Sequence, residues 1–465
     1  MPSRPFRRFT RPAAVASLVL ASLGASAGIV SLGPNPQPVA GCPAPGLPGL
    51  CRIDSAARAD GAVSDYSAIR IGQGGSGSLS IGEFASVSLT RLDLAPGIPS
   101  SPNLIVGDNV NASGQLSVSD GGRLSITVPD AGNGSGGLLV GVFAAAPGST
   151  GPTTTLQIND GGEVFVDKPG GWNVAAAVGI GFGAGSFSSL MMDGGIDGFG
   201  NQARTARLDT TGNLSIGRQG HGIVNVFRNA EVTANFVFMS TISTLGLSEL
   251  GVGVGSKLTA GALYAGIGLA ANGADVDPGN PNHGSAGIST QFGGVIAAPV
   301  VMGEGAVLMG TGTLGQQVVN HGGTIRPGNS PGTLHFADDL TDFGGRIEIE
   351  IGPGASDLLD IAGDLRLHGT DVVFRFIDGF APTQGFSLDF AQVAGLIELD
   401  DVHFSVEGLR EGFRFDVGSG ANGALSFTAL TDGQPLPLPG TLALLLAAAA
   451  AALAASRRRA AHSGA

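Results

Sequence analysis

Leu116-Ser117-Val118-Ser119-Asp120-Gly121-Gly122-Arg123-Leu124-Ser125-Ile126 reads as two short strands around one tight turn. Its apolar residues alternate with polar ones, which is the pattern of a half-buried strand. Asp120-Gly121-Gly122 supplies the positive φ that a tight turn needs. The pattern returns at Leu156-Gln157-Ile158, Asp160-Gly161-Gly162 and Val164-Phe165-Val166. Leu79-Ser80-Ile81, Leu190-Met191-Met192 and Val224-Asn225-Val226 are further apolar trios, with turns at Asp193-Gly194-Gly195 and Asn229-Ala230. The trios thus begin at Leu79, Leu116, Leu156, Leu190 and Val224, a long and nearly constant spacing. A β-branched residue before glycine recurs alongside them, at Ile71-Gly72, Val106-Gly107, Val140-Gly141, Ile180-Gly181, Ile216-Gly217, Val254-Gly255 and Ile267-Gly268.

Short strands and turns at a long fixed period predict an all-β fold, a right-handed parallel β-helix over residues 66–335 with about two coils per repeat. No stretch of this region has a sustained helical apolar face. The alternative is an antiparallel β-sandwich, because the same strands and turns can close as hairpins. Residues 336–432 keep the alternation without the glycine repeat, as in Val372 to Ile377, Phe386 to Phe390 and Phe413 to Val417. This phenylalanine-dense stretch is expected to form a C-terminal β cap over the open end of the coil.

Composition narrows the partners. Residues 1–27 hold four arginines and residues 433–465 hold three, with no acid in either. That leaves 17 of the 24 basic residues against all 37 acidic ones, a net charge of −20 for the chain between. Nucleic acid, bound mainly through phosphate neutralisation, is not an expected partner.

The termini read as export and anchoring. Arg4, Arg7, Arg8 and Arg11 precede an apolar run from Ala13 to Leu23, and Ala25-Ser26-Ala27 has the small-x-small form of a cleavage site. Residues 1–27 are expected to be a secretory signal peptide. Residues 28–65 read as a Pro/Gly-rich linker holding Cys42 and Cys51, the only cysteines. An oxidising periplasm favours a disulfide between them. At the other end, Gly440 to Ser456 carries no charge and is followed by Arg457-Arg458-Arg459. It is the shortest kind of run that crosses a bilayer, and the arginines place the C-terminus in the cytoplasm.

Two family resemblances follow. Pro437-Leu438-Pro439-Gly440, the apolar run and Arg457 to Arg459 make residues 433–465 similar to the PEP-CTERM sorting signal of Gram-negative bacteria. The family box reads Pro-Glu-Pro where this chain has Pro-Leu-Pro. The resemblance implies processing by an exosortase-like enzyme, transient residence in the inner membrane, then delivery to the cell surface or matrix, with extracellular polysaccharide and biofilm as the setting. Pro327-Gly328-Asn329-Ser330-Pro331-Gly332-Thr333-Leu334, with the strands after it, resembles an element of autotransporter passenger β-helices.

Catalytic signals are sparse. Asp338-Asp339, Asp357 with Asp360, and Asp400-Asp401 are the closest acid groupings and read as turn or strand-end residues. Asp193-Gly194-Gly195-Ile196-Asp197-Gly198 occurs once and lacks the spacing of a calcium-binding repeat. The histidines are isolated along the chain, and one Trp and two Tyr offer few sugar-stacking platforms. No metal or cofactor is expected. The expected function is that of an exported structural or adhesive surface protein. The alternative is a polysaccharide lyase or hydrolase on a β-helix, which would need carboxylates converging on one groove.

Overall fold

The computed structural model describes residues 30–32, 50–53, 55–59, 62–63, 68–73, 75–90, 104–107, 113–128, 137–142, 153–168, 176–195, 204–241, 246–269, 276–277, 279–328, 331–420 and 423–435. Among them the fold is all-β. One sheet has 14 strands and a second has 25. The second sheet consists of two stacks, joined where Ala230–Met239 and Lys257–Ala265 run through both. The chain therefore has three faces and visits them in a fixed order. Gly114–Val118 lies on the first face, Arg123–Thr127 on the second and Leu138–Val140 on the third, and Thr153–Asn159 returns to the first. Each strand pairs in parallel with its counterpart one circuit away, as Leu116 with Leu156, Leu124 with Val164 and Val140 with Ile180. This arrangement is compatible with a β-helix.

Parallel pairing rules out the antiparallel sandwich. Among the described residues, the only antiparallel strand pairs are Gly268–Leu269 with Val276–Asp277, and Ala424–Ala429 with Ser387–Val393 and Phe415–Ser419. The sandwich reading took the Asp-Gly turns for hairpins. They are corners between the first and second faces. Asp120 and Gly121 have φ of 51° and 75°, Asp160 and Gly161 of 47° and 79°. Gly122 N donates to Ser119 O (2.7 Å) and Gly162 N to Asn159 O (2.8 Å). The second glycine of each corner has a different task. A Cβ on Gly122 or Gly162 would run into the carbonyl of Ile81 or Val118, at the end of the preceding first-face strand.

The repeat is one circuit long, not two coils. Leu79, Leu116, Leu156, Leu190 and Val224 are direct register partners and form a single buried column. The column continues through Leu250, Ile288, Leu308, Ile325, Ile347 and Val372. The circuit from Leu308 to Ile325 is half as long as the one from Leu156 to Leu190. The β-branched-glycine pairs mark the end of the third face as far as Ile216. Beyond it the position passes to Met239, Ala265 and Met302. Val254-Gly255 is instead an exposed corner, and Ile267 packs in a separate cluster with Phe238 and Tyr264 on the outside of the third face.

Parallel pairing extends past both expected boundaries. Within the stretch read as a linker, Leu50–Ile53 and Ala56–Ala59 pair with Ala68–Ile71 and Gly77–Ile81. Alanines at the inward positions 57 and 59 make too weak a hydrophobic alternation to announce a strand. Downstream, pairing continues across residue 335 to His403–Glu407. The last hairpin, Phe415–Ser419 with Ala424–Ala429, turns antiparallel there. Phe374, Phe390, Phe415 and Phe427 fill the terminal core, with Phe427 ring centroids 4.8 Å from Phe374 and 5.2 Å from Phe415.

Candidate functional site

Pro437, Leu438, Pro439, Gly440, Arg457, Arg458 and Arg459 lie outside the described residues, as do Ala25, Ala27 and Cys42. Cys51 is fully buried and disulfide-bonded. Among the described residues, no helix is long and apolar enough to cross a membrane.

The acid groupings are bonded across neighbouring strands or turns. Asp339 accepts the N–H of Asp364 (2.8 Å) and bonds Arg366 (3.2 Å). That backbone N–H, helped by the guanidinium, holds its carboxyl below the usual range. Asp360 bonds His335 (2.8 Å), its register partner, and Asp400 lies 3.6 Å from His368. Asp193 pairs with Arg228 and accepts the N–H of Gly195 (2.9 Å). Histidines isolated along the chain thus meet acids one circuit away, a juxtaposition that local spacing does not reveal. Among the described residues, no three metal-ligating side chains gather.

Two buried carboxyls stand apart. Asp357 is 1% exposed and accepts the N–H groups of Gly332 and Glu350, each at 2.8 Å. It ties Gly332, in the Pro-Gly-Asn-Ser-Pro-Gly element, to the next circuit. Burial pushes its pKa up to about 6 against the opposing pull of the two N–H groups. Asp342 continues the third-face column, below Met302 and Asn320 and above Leu367. Asn320 Nδ2 (2.5 Å), Gly345 N (2.8 Å) and Thr370 Oγ1 (2.6 Å) all donate to it. Burial raises its pKa, opposed by those donors.

An ion-pair lattice covers the outer side of the first face. Glu348 lies among Arg326 (2.8 Å), Arg346 (2.7 Å) and Arg375 (3.3 Å), and Glu407 bonds Arg346 (2.8 Å) and Arg375 (3.1 Å). Burial works against the ionised Glu348, yet the hydrogen bonds from Arg346 and Arg326 outweigh it and its pKa is lowered. Every group is held by a neighbour, so the lattice reads as a clasp between strands.

The concave feature of this face lies just upstream. An open groove of about 750 Å3 crosses the strands His221–Phe227, Leu247–Gly253, Ser285–Gln291 and Ala306–Gly310. Gly251 and Gly287 form part of its floor, Phe227, Val307 and Met309 give apolar surface, and Asn225 and Ser289 give polar atoms. His221 Nε2 lies 3.2 Å from Glu249 Oε1. The groove's carboxylates are Glu249 and Glu304. Compared with known proteins, the chain matches no family model and no curated protein.

Proposed function

We propose that this chain is an exported structural or adhesive protein of the cell surface or extracellular matrix, without catalytic activity of its own. In this reading it folds as a right-handed parallel β-helix with an antiparallel C-terminal cap. A PEP-CTERM-like tail holds it transiently in the inner membrane until an exosortase-like enzyme cuts near Pro437-Leu438-Pro439. The observation that carries the reading is the order of segments: a cleavable apolar leader, a long β region of net charge −20, a proline box, the uncharged run from Gly440 to Ser456 and three arginines. The fold supports it. Fourteen parallel strands at about 4.8 Å each make a stack about 60 Å long, suited to spanning or spacing a matrix.

Cell fractionation tests the reading. The wild-type protein should leave the inner membrane without its tail. Replacing Arg457, Arg458 and Arg459 together with glutamine should weaken retention and reduce correct sorting. A wild-type chain that stays in the inner membrane at full length would leave a simple anchor in place of a sorting signal.

A further inference from the structure

We propose that the groove on the first face binds an uncharged glycan chain. This rests on the reading of an exported adhesive protein and names what it adheres to. The argument starts at Gly287, in the interior of Ser285–Gln291, pointing outward between the buried Ala286 and Ile288. Its φ is not in the left-handed region, and an added Cβ would meet nothing closer than Ser248 O at 3.9 Å. Neither backbone nor packing requires glycine here. Glycine within a strand weakens it and often marks a place where a ligand or another chain comes close. On the adjacent strand, a Cβ at Gly251 would be obstructed chiefly by the side-chain end of Asn225, at 2.7 Å. Gly287 stands opposite Glu249 and Gly251 opposite Ser289, so the two missing side chains lie diagonally across this pair of strands in the groove floor.

The surroundings select the occupant. The floor strands are paired on both sides within the sheet, so no free edge offers backbone bonds to an extended peptide. The groove's basic side chains are already engaged, His221 with Glu249 (3.2 Å) and Arg326 with Glu348 (2.8 Å). An anionic polymer would meet the carboxylates of Glu249 and Glu304 with no unpaired cation to offset them. Amide and hydroxyl groups at Asn225 and Ser289 beside the apolar Val307 and Met309 fit a sugar ring, which is polar at its hydroxyl rim and apolar over its C–H face.

The test uses the full-length chain solubilised in detergent, with cellohexaose and the N-acetylglucosamine hexamer as uncharged probes and hexagalacturonate as the anionic one, read by calorimetry. At least one uncharged hexamer should bind saturably with Kd of about 1 mM or tighter, and hexagalacturonate should not bind. Gly287→Val should weaken binding by about tenfold or more without lowering Tm. If its Tm does fall, Ser289→Lys must show the same loss of binding. The proposal is overturned if neither uncharged hexamer binds, if hexagalacturonate binds as well as they do, or if the groove variant that keeps its Tm binds like wild type. Fractionation reads export separately. A correctly sorted chain that binds no probe removes the groove proposal alone, and a mislocalised chain that binds removes only the surface reading.

Discussion

Asp357 shows how one residue couples the fold to pH. Its carboxyl binds a proton more tightly in the folded chain, with a pKa of about 6, than in the unfolded one, at 3.8. The associated stability is full below pH 3.8 and is lost as the pH rises through about 6. The shift corresponds to about 3 kcal/mol. Asp357→Asn removes the titration and keeps one acceptor for the two N–H groups. Chemical denaturation of both proteins from pH 3.5 to 7 should show wild type losing about 3 kcal/mol relative to the variant. A constant difference would show that the buried carboxyl does not titrate there. Asn320 belongs to the same scale. It replaces an apolar residue in the third-face column, bonding Asp342 (2.5 Å) and Gly323 N (2.8 Å). Asn320→Leu should cost about 2–4 kcal/mol, measured by denaturation at pH 7, because it removes the donor to one oxygen of the buried Asp342 and the acceptor of the Gly323 N–H.

At the scale of the element, the corner decides the fold. Asp160 and Gly161 take the left-handed backbone, while Gly162 admits the carbonyl of Val118. Gly162→Ala should therefore destabilise the chain by about 2 kcal/mol or more, although its φ suits any residue. Gly287→Val, at an equally ordinary φ but with open space, should not. A thermal melt of the two variants separates close approach from the general weakness of glycine in strands. A small loss at Gly162 would mean that the neighbouring strand moves aside freely.

Across the whole molecule, each circuit touches chiefly the circuits before and after it, so stability is close to a sum of local terms. The circuits are long from Leu79 through Leu116, Leu156 and Leu190 to Val224, and short from Leu308 through Ile325 and Ile347 to Val372. The shorter ones order less chain for each set of paired strands. Limited proteolysis should leave a resistant fragment running from the strand Ser285–Gln291 to the strand Ala424–Ala429, held at its end by the phenylalanine core around Phe427. A resistant fragment from the N-terminal half would reverse that ranking.

What the sequence determined by itself is local. Alternation placed Leu116, Val118, Leu124 and Ile126 inside. Asp-Gly placed the corners, because side-chain period and positive φ are properties of adjacent residues. The arginines beside an apolar run at each end are equally legible, being composition and charge. Tertiary structure alone decided whether the strands flanking Asp120-Gly121 pair with each other or with strands one circuit away. The same turn geometry serves a hairpin and a corner, and the choice depends on closing three faces around one core. That closure made the repeat one circuit long and set His335 against Asp360. It also buried Asn320 with Asp342 and set Gly287 opposite Glu249 in the groove floor. Each of these partnerships joins residues a full circuit apart in the chain. No local pattern encodes them, since register follows from stacking the circuits.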